Sequence, residues 1–473
     1  MRFFLFLSWV LLSSSLFSQD QGKPWSLQQC IEYALKNNIQ VKQNMLSEKN
    51  SEAALLQSKA QILPSLNGNA SNSYNSGRKV DPFTNQFSSG TFTLSQNFSL
   101  STSLTLFGGL QNLNTVRQNQ YNLMASRMDV QKMENDISLQ IASAYLQILM
   151  AEELLSVAQN QSDITKLQAE RTKKLVDAGS LPKGNLLDIQ AQSASEEVNI
   201  VNAENSLSLA SLNLVQMLNL DTIENFSIAK PEITLPADVV LNTTPGQVYD
   251  AALTRQPEIK SAEFKLKSSE KGISIARAGR YPHLSLSGAY GTGYSGASKQ
   301  IVGDPVLTPT AYGYTSTGDI VYVPVATYNY EKIPYSTQYN NNINKSVGFY
   351  LTVPLFNNLQ TNTSVERAKI ARENSALSLQ LQKDNLRKTI QQAYNDAMSS
   401  LKKYQATQKA VNAMEESFKY MDQKFTVGAA TSTEYNDSKN KLIKAKSDLL
   451  QSKYDCVFKM KVLDFYQGRP ISL

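Results

Sequence analysis

The sequence predicts a mostly helical chain with a smaller β part of alternating strands, built as two copies of one unit. Three observations predict it. Leu110 to Ala178 and Leu359 to Val427 each run 69 residues without a Gly or Pro. Segments of strict period-two alternation precede both. The same order of parts, with the same breaker positions, occurs twice. At 473 residues, with 41% hydrophobic and 18% charged side chains, the chain has ample material for ordered packing.

The first element is an address. Arg2 supplies a positive charge, Phe3 to Phe17 is apolar but for serines, and Ser18 precedes Gln19. This pattern predicts a secretory signal peptide over 1–18, cut near Ser18. About 15 apolar residues is short for a membrane anchor, and no cysteine follows the cut to carry a lipid. No later run reads as apolar enough for a transmembrane helix. An exported chain of this kind is soluble, surface-attached or inserted as a β-barrel.

The repeat comes next. Ala34-Leu35 to Pro64-Ser65-Leu66 matches Ala252-Leu253 to Pro282-His283-Leu284 at an offset of 218. Leu106-Phe107-Gly108-Gly109-Leu110-Gln111 matches Leu355-Phe356-Asn357-Asn358-Leu359-Gln360 at an offset of 249, held through Tyr145/Tyr394, Gly179/Gly428 and Asp188/Asp437. The second copy therefore carries 31 extra residues between Leu284 and Leu355. The first repeat is expected over 19–220: a helix over Leu27–Leu63 stopped by Pro64, a strand pair at about 65–107, a long helix over 110–178, a turn at Gly179 and a return helix over 182–219. A linker over 221–245 follows, with Pro231, Pro236 and Pro245. The second repeat, 246–467, has a helix, a strand pair at about 283–356 with a long Tyr-rich loop, a long helix over 359–427, a turn at Gly428 and a return helix over 431–466. Residues 468–473 form a short tail.

The strands alternate. Phe92, Leu94, Phe98, Leu100, Leu104 and Leu106 point one way and Ser95, Asn97, Ser99, Ser101 and Ser103 the other. Val347, Phe349 and Leu351 repeat the pattern. Such a ribbon suits lipid on one face and a water-filled lumen on the other, and equally a half-buried soluble sheet. A helix of 69 residues would reach about 100 Å at 1.5 Å per residue, so it must pack sideways on other long helices. Positions 137, 141, 144, 148, 151, 155, 158, 162, 165, 169, 172 and 176 step by four and three, as do their equivalents from Leu386 to Phe425, which predicts a coiled-coil seam. A first helix of about 37 residues and a return helix of about 37, stacked end to end, match one long helix in height.

Charge and chemistry narrow the function. A net charge of +6 with no basic stripe gives no footprint for nucleic acid. Cys30 and Cys456 form no metal or redox pattern and read as small buried helix residues. The single histidine, His283, starts a strand. No catalytic, cofactor or metal constellation is present, so the chain is not expected to be an enzyme and needs no cofactor. The competing reading is a trimeric coiled-coil surface adhesin or structural envelope protein. Its strands would sit together at one chain end, whereas here they are split between two repeats.

The ordered set resembles the TolC-like outer-membrane efflux family: Ala-Leu pairs followed by Asn-Asn-Ile or Gln-Pro-Glu, then Leu63-Pro64-Ser65-Leu66 and Tyr281-Pro282-His283-Leu284, Val353-Pro354-Leu355-Phe356, and the segments Ala178-Gly179 to Leu187-Asp188 and Val427-Gly428 to Asn436-Asp437. It covers roughly residues 25 to 467. The resemblance implies a homotrimer, since four strands per chain cannot close a barrel but twelve can. It implies a trimeric α-helical barrel of twelve helices in the periplasm joined to a 12-stranded β-barrel among outer-membrane lipids. It implies partners, a periplasmic adaptor and an inner-membrane transporter of RND or ABC type, that make the chain a passive duct for efflux or type I secretion. The 31-residue insertion becomes an extracellular loop.

The resemblance also places a gate at the turns. Acids just after the second turn would ring the closed pore, and they match Glu434 and Asp437, whose i, i+3 spacing puts both on one helix face. Thr431-Ser432-Thr433-Glu434 also reads as a capping box, and one residue can serve both roles. An aromatic that hydrogen-bonds across the family's latch is matched by Phe425, which has no hydroxyl, the latch arginine by Ala430 and a partnering acid by Asn185; Asp188 is the acid kept in the first copy. If the pore closes there, apolar contact through Phe425 is expected to replace polar bonds.

Overall fold

The computed structural model describes residues 24–77, 79–80, 87–88, 92–221, 226–231 and 243–471. The expected signal peptide and most of the expected linker lie outside them. The chain divides into two compact units. One comprises Met1–Glu52, Tyr121–Lys267 and Glu373–Leu473, the other Ala53–Gln120 and Ser268–Arg372.

The helix expected over Leu27–Leu63 is two helices, α1 (Leu27–Asn37) and α2 (Ile39–Ala60). Asn38 causes the break. Its N–H still bonds Ala34 O, but its backbone turns extended (ψ 131°), and its Oδ1 accepts from Gln40 N at 2.8 Å. It thus ends one helix and caps the next, which its residue type favours. Beyond the helices α3 (Gln111–Asp177) and α4 (Lys183–Leu218), the second copy breaks at the same place: α5 (Pro245–Arg255) and α6 (Pro257–Ala278) part at Gln256. There Pro257 forces its predecessor out of the helical region. Ser26 with Gln29 and Thr244 with Gln247 form matching capping boxes at the two starts.

The long helices α3 and α8 (Gln360–Thr426) have 67 residues each, and α9 (Ser432–Tyr466) returns from α8 as α4 does from α3. The seam follows the four–three steps. In α3, Ile137, Ile141, Ala144, Ile148, Ala151, Ser162, Thr165 and Thr172 are buried; in α8, Met414 departs from the pattern, at 37% exposure. Two cores keep the offsets of the repeat. Cys30, Ala34, Val41, Ile137, Ile141, Ile148 and Leu214 lie in the first; Val248, Ala252, Ile259, Leu386, Ile390, Ala397 and Leu463 occupy the equivalent places in the second. One stretch of α3 is, against expectation, apolar enough to cross a bilayer by length and composition. Residues such as Ile141, Tyr145 and Ile148 spend that apolarity on the helical core. Tyr145 sits at 1% exposure with its hydroxyl 3.1 Å from Trp25 O and 2.5 Å from Ala229 O, where Trp25 and Ile228 form a parallel bridge.

The other unit holds an antiparallel sheet of order β1-β4-β5-β8: β1 (Ser65–Asn75), β4 (Thr93–Gly108), β5 (His283–Ser295) and β8 (Asn344–Thr352). The register gathers Leu66, Phe98, Leu100, Leu104, Leu286, Val347, Phe349 and Leu351 on one face. The other carries Asn67, Asn69, Ser99, Ser101, Ser103, Ser285, Ser287 and Ser346. A bulge between Thr105 and Phe107 takes Leu106 out of the alternation and sets Phe107 opposite Leu284. A short ladder joins β2 (Lys79–Val80) to β3 (Phe87–Ser88).

The region expected as a long loop is ordered as a hairpin, β6 (Lys299–Tyr314) with β7 (Ile320–Lys332), followed by helix α7 (Tyr335–Asn341). Its Val, Thr and Tyr content explains the strands. Tyr335 stacks on Tyr294 at 3.8 Å between ring centroids, and Tyr339 donates to Gln96 Oε1.

Candidate functional site

The two helical turns of the first unit are built alike. Gly179 (φ 74°) and Gly428 (φ 76°) are left-handed. Gly179 N bonds Val176 O and Ser180 N bonds Leu175 O; Gly428 N bonds Phe425 O and Ala429 N bonds Lys424 O. Both are Schellman ends, satisfying the last carbonyls of α3 and α8. A side chain at either glycine would meet open space, so conformation alone demands glycine there.

After the turns the copies differ. α4 starts at Pro182 with no side-chain cap. α9 starts at Thr431, whose hydroxyl accepts from Glu434 N, while Glu434 Oε2 accepts from Thr431 N at 2.9 Å. These bonds, backbone first, hold the Glu434 carboxyl below its ordinary pKa, so it is anionic at neutral pH. Asp437, on the same face, is exposed and pairs with Lys441 at 2.7 Å. Asp188 is exposed on α4. Phe425 is half-buried and packs on Tyr435 of α9, ring centroids 4.6 Å apart.

The structure adds residues that sequence reasoning missed. Tyr435 is 3% exposed, lies between Phe418 and Phe425, and accepts a hydrogen bond from Gln168 of α3. Burial raises its pKa. One turn further along α9, Lys439 is 2% exposed and faces Glu196 of α4, 3% exposed, at 3.4 Å. Lys439 donates to the Thr165 hydroxyl of α3, which donates to Glu196; Gln192 donates to Glu196 Oε1 at 3.0 Å and to Asn440 at 3.1 Å. Burial lowers the Lys439 pKa and Glu196 opposes it. One ion pair therefore ties α3, α4 and α9 together behind the turns. A signal existed: four residues back along the α4 stripe from Ile200 lies Glu196, a charge in a seam position. Lys439 lies on no expected stripe.

Among the described residues no group of three or more His, Cys, Asp or Glu could hold a metal. Cys30 and Cys456 are buried free thiols, and burial pushes Cys30 up to about 12.

Comparison with known proteins gives a consistent result. The model of the family described as outer membrane efflux protein matches residues 30–220 and 248–463. Outer membrane protein TolC of Escherichia coli K12 is 22% identical over 68% of this chain and 59% of its own length. Cation efflux system protein CusC of E. coli O6:H1 is 24% identical over 57% of this chain and 56% of its own length. The chain thus spans under two thirds of the length of these relatives. A structure of CusC, described in terms of folding and transmembrane channel formation, superposes with a TM-score of 0.75 at 18% identity, covering 96% of each chain. That of the outer membrane protein VceC from Vibrio cholerae gives 0.69 at 17% identity, over 94% of this chain and 97% of its own.

Proposed function

From membership of the outer membrane efflux protein family, to which this chain belongs, we propose that it is the outer-membrane channel of a tripartite efflux or type I secretion system. It works as a homotrimer and gives passive exit to substrates that an inner-membrane pump delivers through a periplasmic adaptor. The observation that carries this reading is the four-stranded sheet. One face is apolar, the other is Ser, Asn and Gly, and the outer edges of β1 and β8 have no strand partner among the described residues. Open edges are not tolerated in lipid, where each unpaired backbone group costs several kcal/mol. Pairing β1 of one copy with β8 of the next around a threefold axis closes twelve strands and removes every edge. The strands are 9 to 16 residues long, enough for a tilted crossing of about 9–11 residues.

In the same reading the helical turns form the periplasmic end, and Glu434 and Asp437 from three copies ring the pore, with Asp188 and Phe425 beside them. What supports this is the exposure of all three acids and the anionic state of Glu434. An anionic constriction favours cations. Purified protein in planar bilayers should show stepwise conductance with cation preference, and Glu434→Gln with Asp437→Asn should weaken that preference by severalfold. No conductance sinks the channel reading. Conductance with selectivity untouched by the two variants sinks the ring alone.

A further inference from the structure

Among the described residues nothing covers the β6–β7 hairpin. All of β7 is exposed, as is β6 except at Gly313. The register puts Leu307, Tyr322, Tyr328 and Tyr330 on one side and Val306, Val321, Val323 and Val325 on the other. From Pro305 to Tyr330 the only charge is Asp319, at the turn. A two-stranded ribbon is marginal in water; one face of this one is rich in Tyr, Leu, Pro and Ala, the other mixes its valines with Thr308, Thr310 and Thr327, and with no charge on either both favour a neighbour. Its edges are closed to strand addition at one level. Pro309 lies opposite Pro324, and two residues without N–H can oppose each other only where their backbone groups point outward.

We propose that the three hairpins of the trimer pack on one another face to face and form a collar at the extracellular end of the barrel. This rests on the trimeric channel reading. An external protein seated on one face would leave the other wet. A threefold ring covers both, because each copy offers one face to the copy ahead and the opposite face to the copy behind. The tyrosine face of one arm meets the valine face of the next, and the uncharged shaft brings no like charges together. Position agrees: Ile333 N bonds Ser298 O, α7 leans on Tyr294, and the next strand is β8, the edge that meets the neighbouring copy.

The test is heterologous crosslinking in the full-length detergent-solubilised protein, its mass read first under native conditions. Val325→Cys and Tyr328→Cys place thiols on opposite faces, and buried Cys30 and Cys456 give a background checked in the unaltered chain. With a bismaleimide the double variant should run as a covalent trimer on a denaturing gel, and each single variant as monomer. The collar is overturned by a native trimer in which the double variant stays monomeric and both thiols react with a water-soluble maleimide. It is equally overturned by covalent dimers from a single variant, which would mean like faces meet. A native mass of one chain overturns the trimer reading itself, and the collar with it.

Discussion

Glu196 and Lys439 are the two side chains whose environment is most at odds with their charge. Each is almost fully buried, and each is satisfied by the other and by Thr165. A buried pair contributes little net stability compared with an apolar pair of the same size, yet losing one partner strands the other. Glu196→Ala should therefore lower unfolding stability by about 3–5 kcal/mol, while Glu196→Leu with Lys439→Met should be near neutral. Denaturant midpoints of the solubilised protein check both; equal losses in the two variants would mean that the pair is not the tie between α3, α4 and α9. The sign of the pH effect follows from the Lys439 shift. A lysine whose folded pKa is lowered binds fewer protons folded than unfolded, so its contribution to stability improves as pH rises through that lowered value toward 10.5.

At the scale of elements, turns and junctions show two reasons for glycine. Gly179 and Gly428 need their left-handed backbone and nothing else, so Gly179→Ala or Gly428→Ala should cost about 1–2 kcal/mol. Gly109 has φ 61° and also no room: a Cβ would lie 2.9 Å from Ala278 O. Gly109→Ala should therefore cost more than either turn variant in the same denaturation assay, and equal costs would contradict the space argument. Its second-copy equivalent, Asn358, takes the same left-handed backbone (φ 51°) with a residue that tolerates it. Elements of this kind were legible in the sequence, because gap-free length, alternation and a glycine at the same offset twice are local signals. α3 and α8 came out within two residues of the expected ends. The break at Asn38 was less legible, since Asn also fits inside a helix and only its capping bonds decide. The hairpin was hidden by its prolines, which read as loop until Pro309 and Pro324 are seen opposite each other. Of the candidate site, the capping box and turn glycines were visible from spacing. Tyr435 and Lys439 were not, because their polar partners, Gln168 and Thr165 of α3 and Glu196 of α4, lie more than 200 residues away.

For the whole molecule, the decisive fact is incompleteness. A single copy exposes the apolar face of its sheet, with Leu66 at 74%, Val347 at 80% and Phe349 at 70%, and among the described residues leaves the outer edges of β1 and β8 open. In the proposed channel lipid covers that face, but only further copies cover the edges. In that channel the two repeats supply the four strands of the main sheet and two long helices per chain, so the number of copies fixes the size of both barrels. Single-particle electron microscopy of the detergent-solubilised protein tests this directly. A trimeric channel gives end-on views with threefold symmetry around a water-filled centre. Particles with the mass of one chain and no central opening would contradict it.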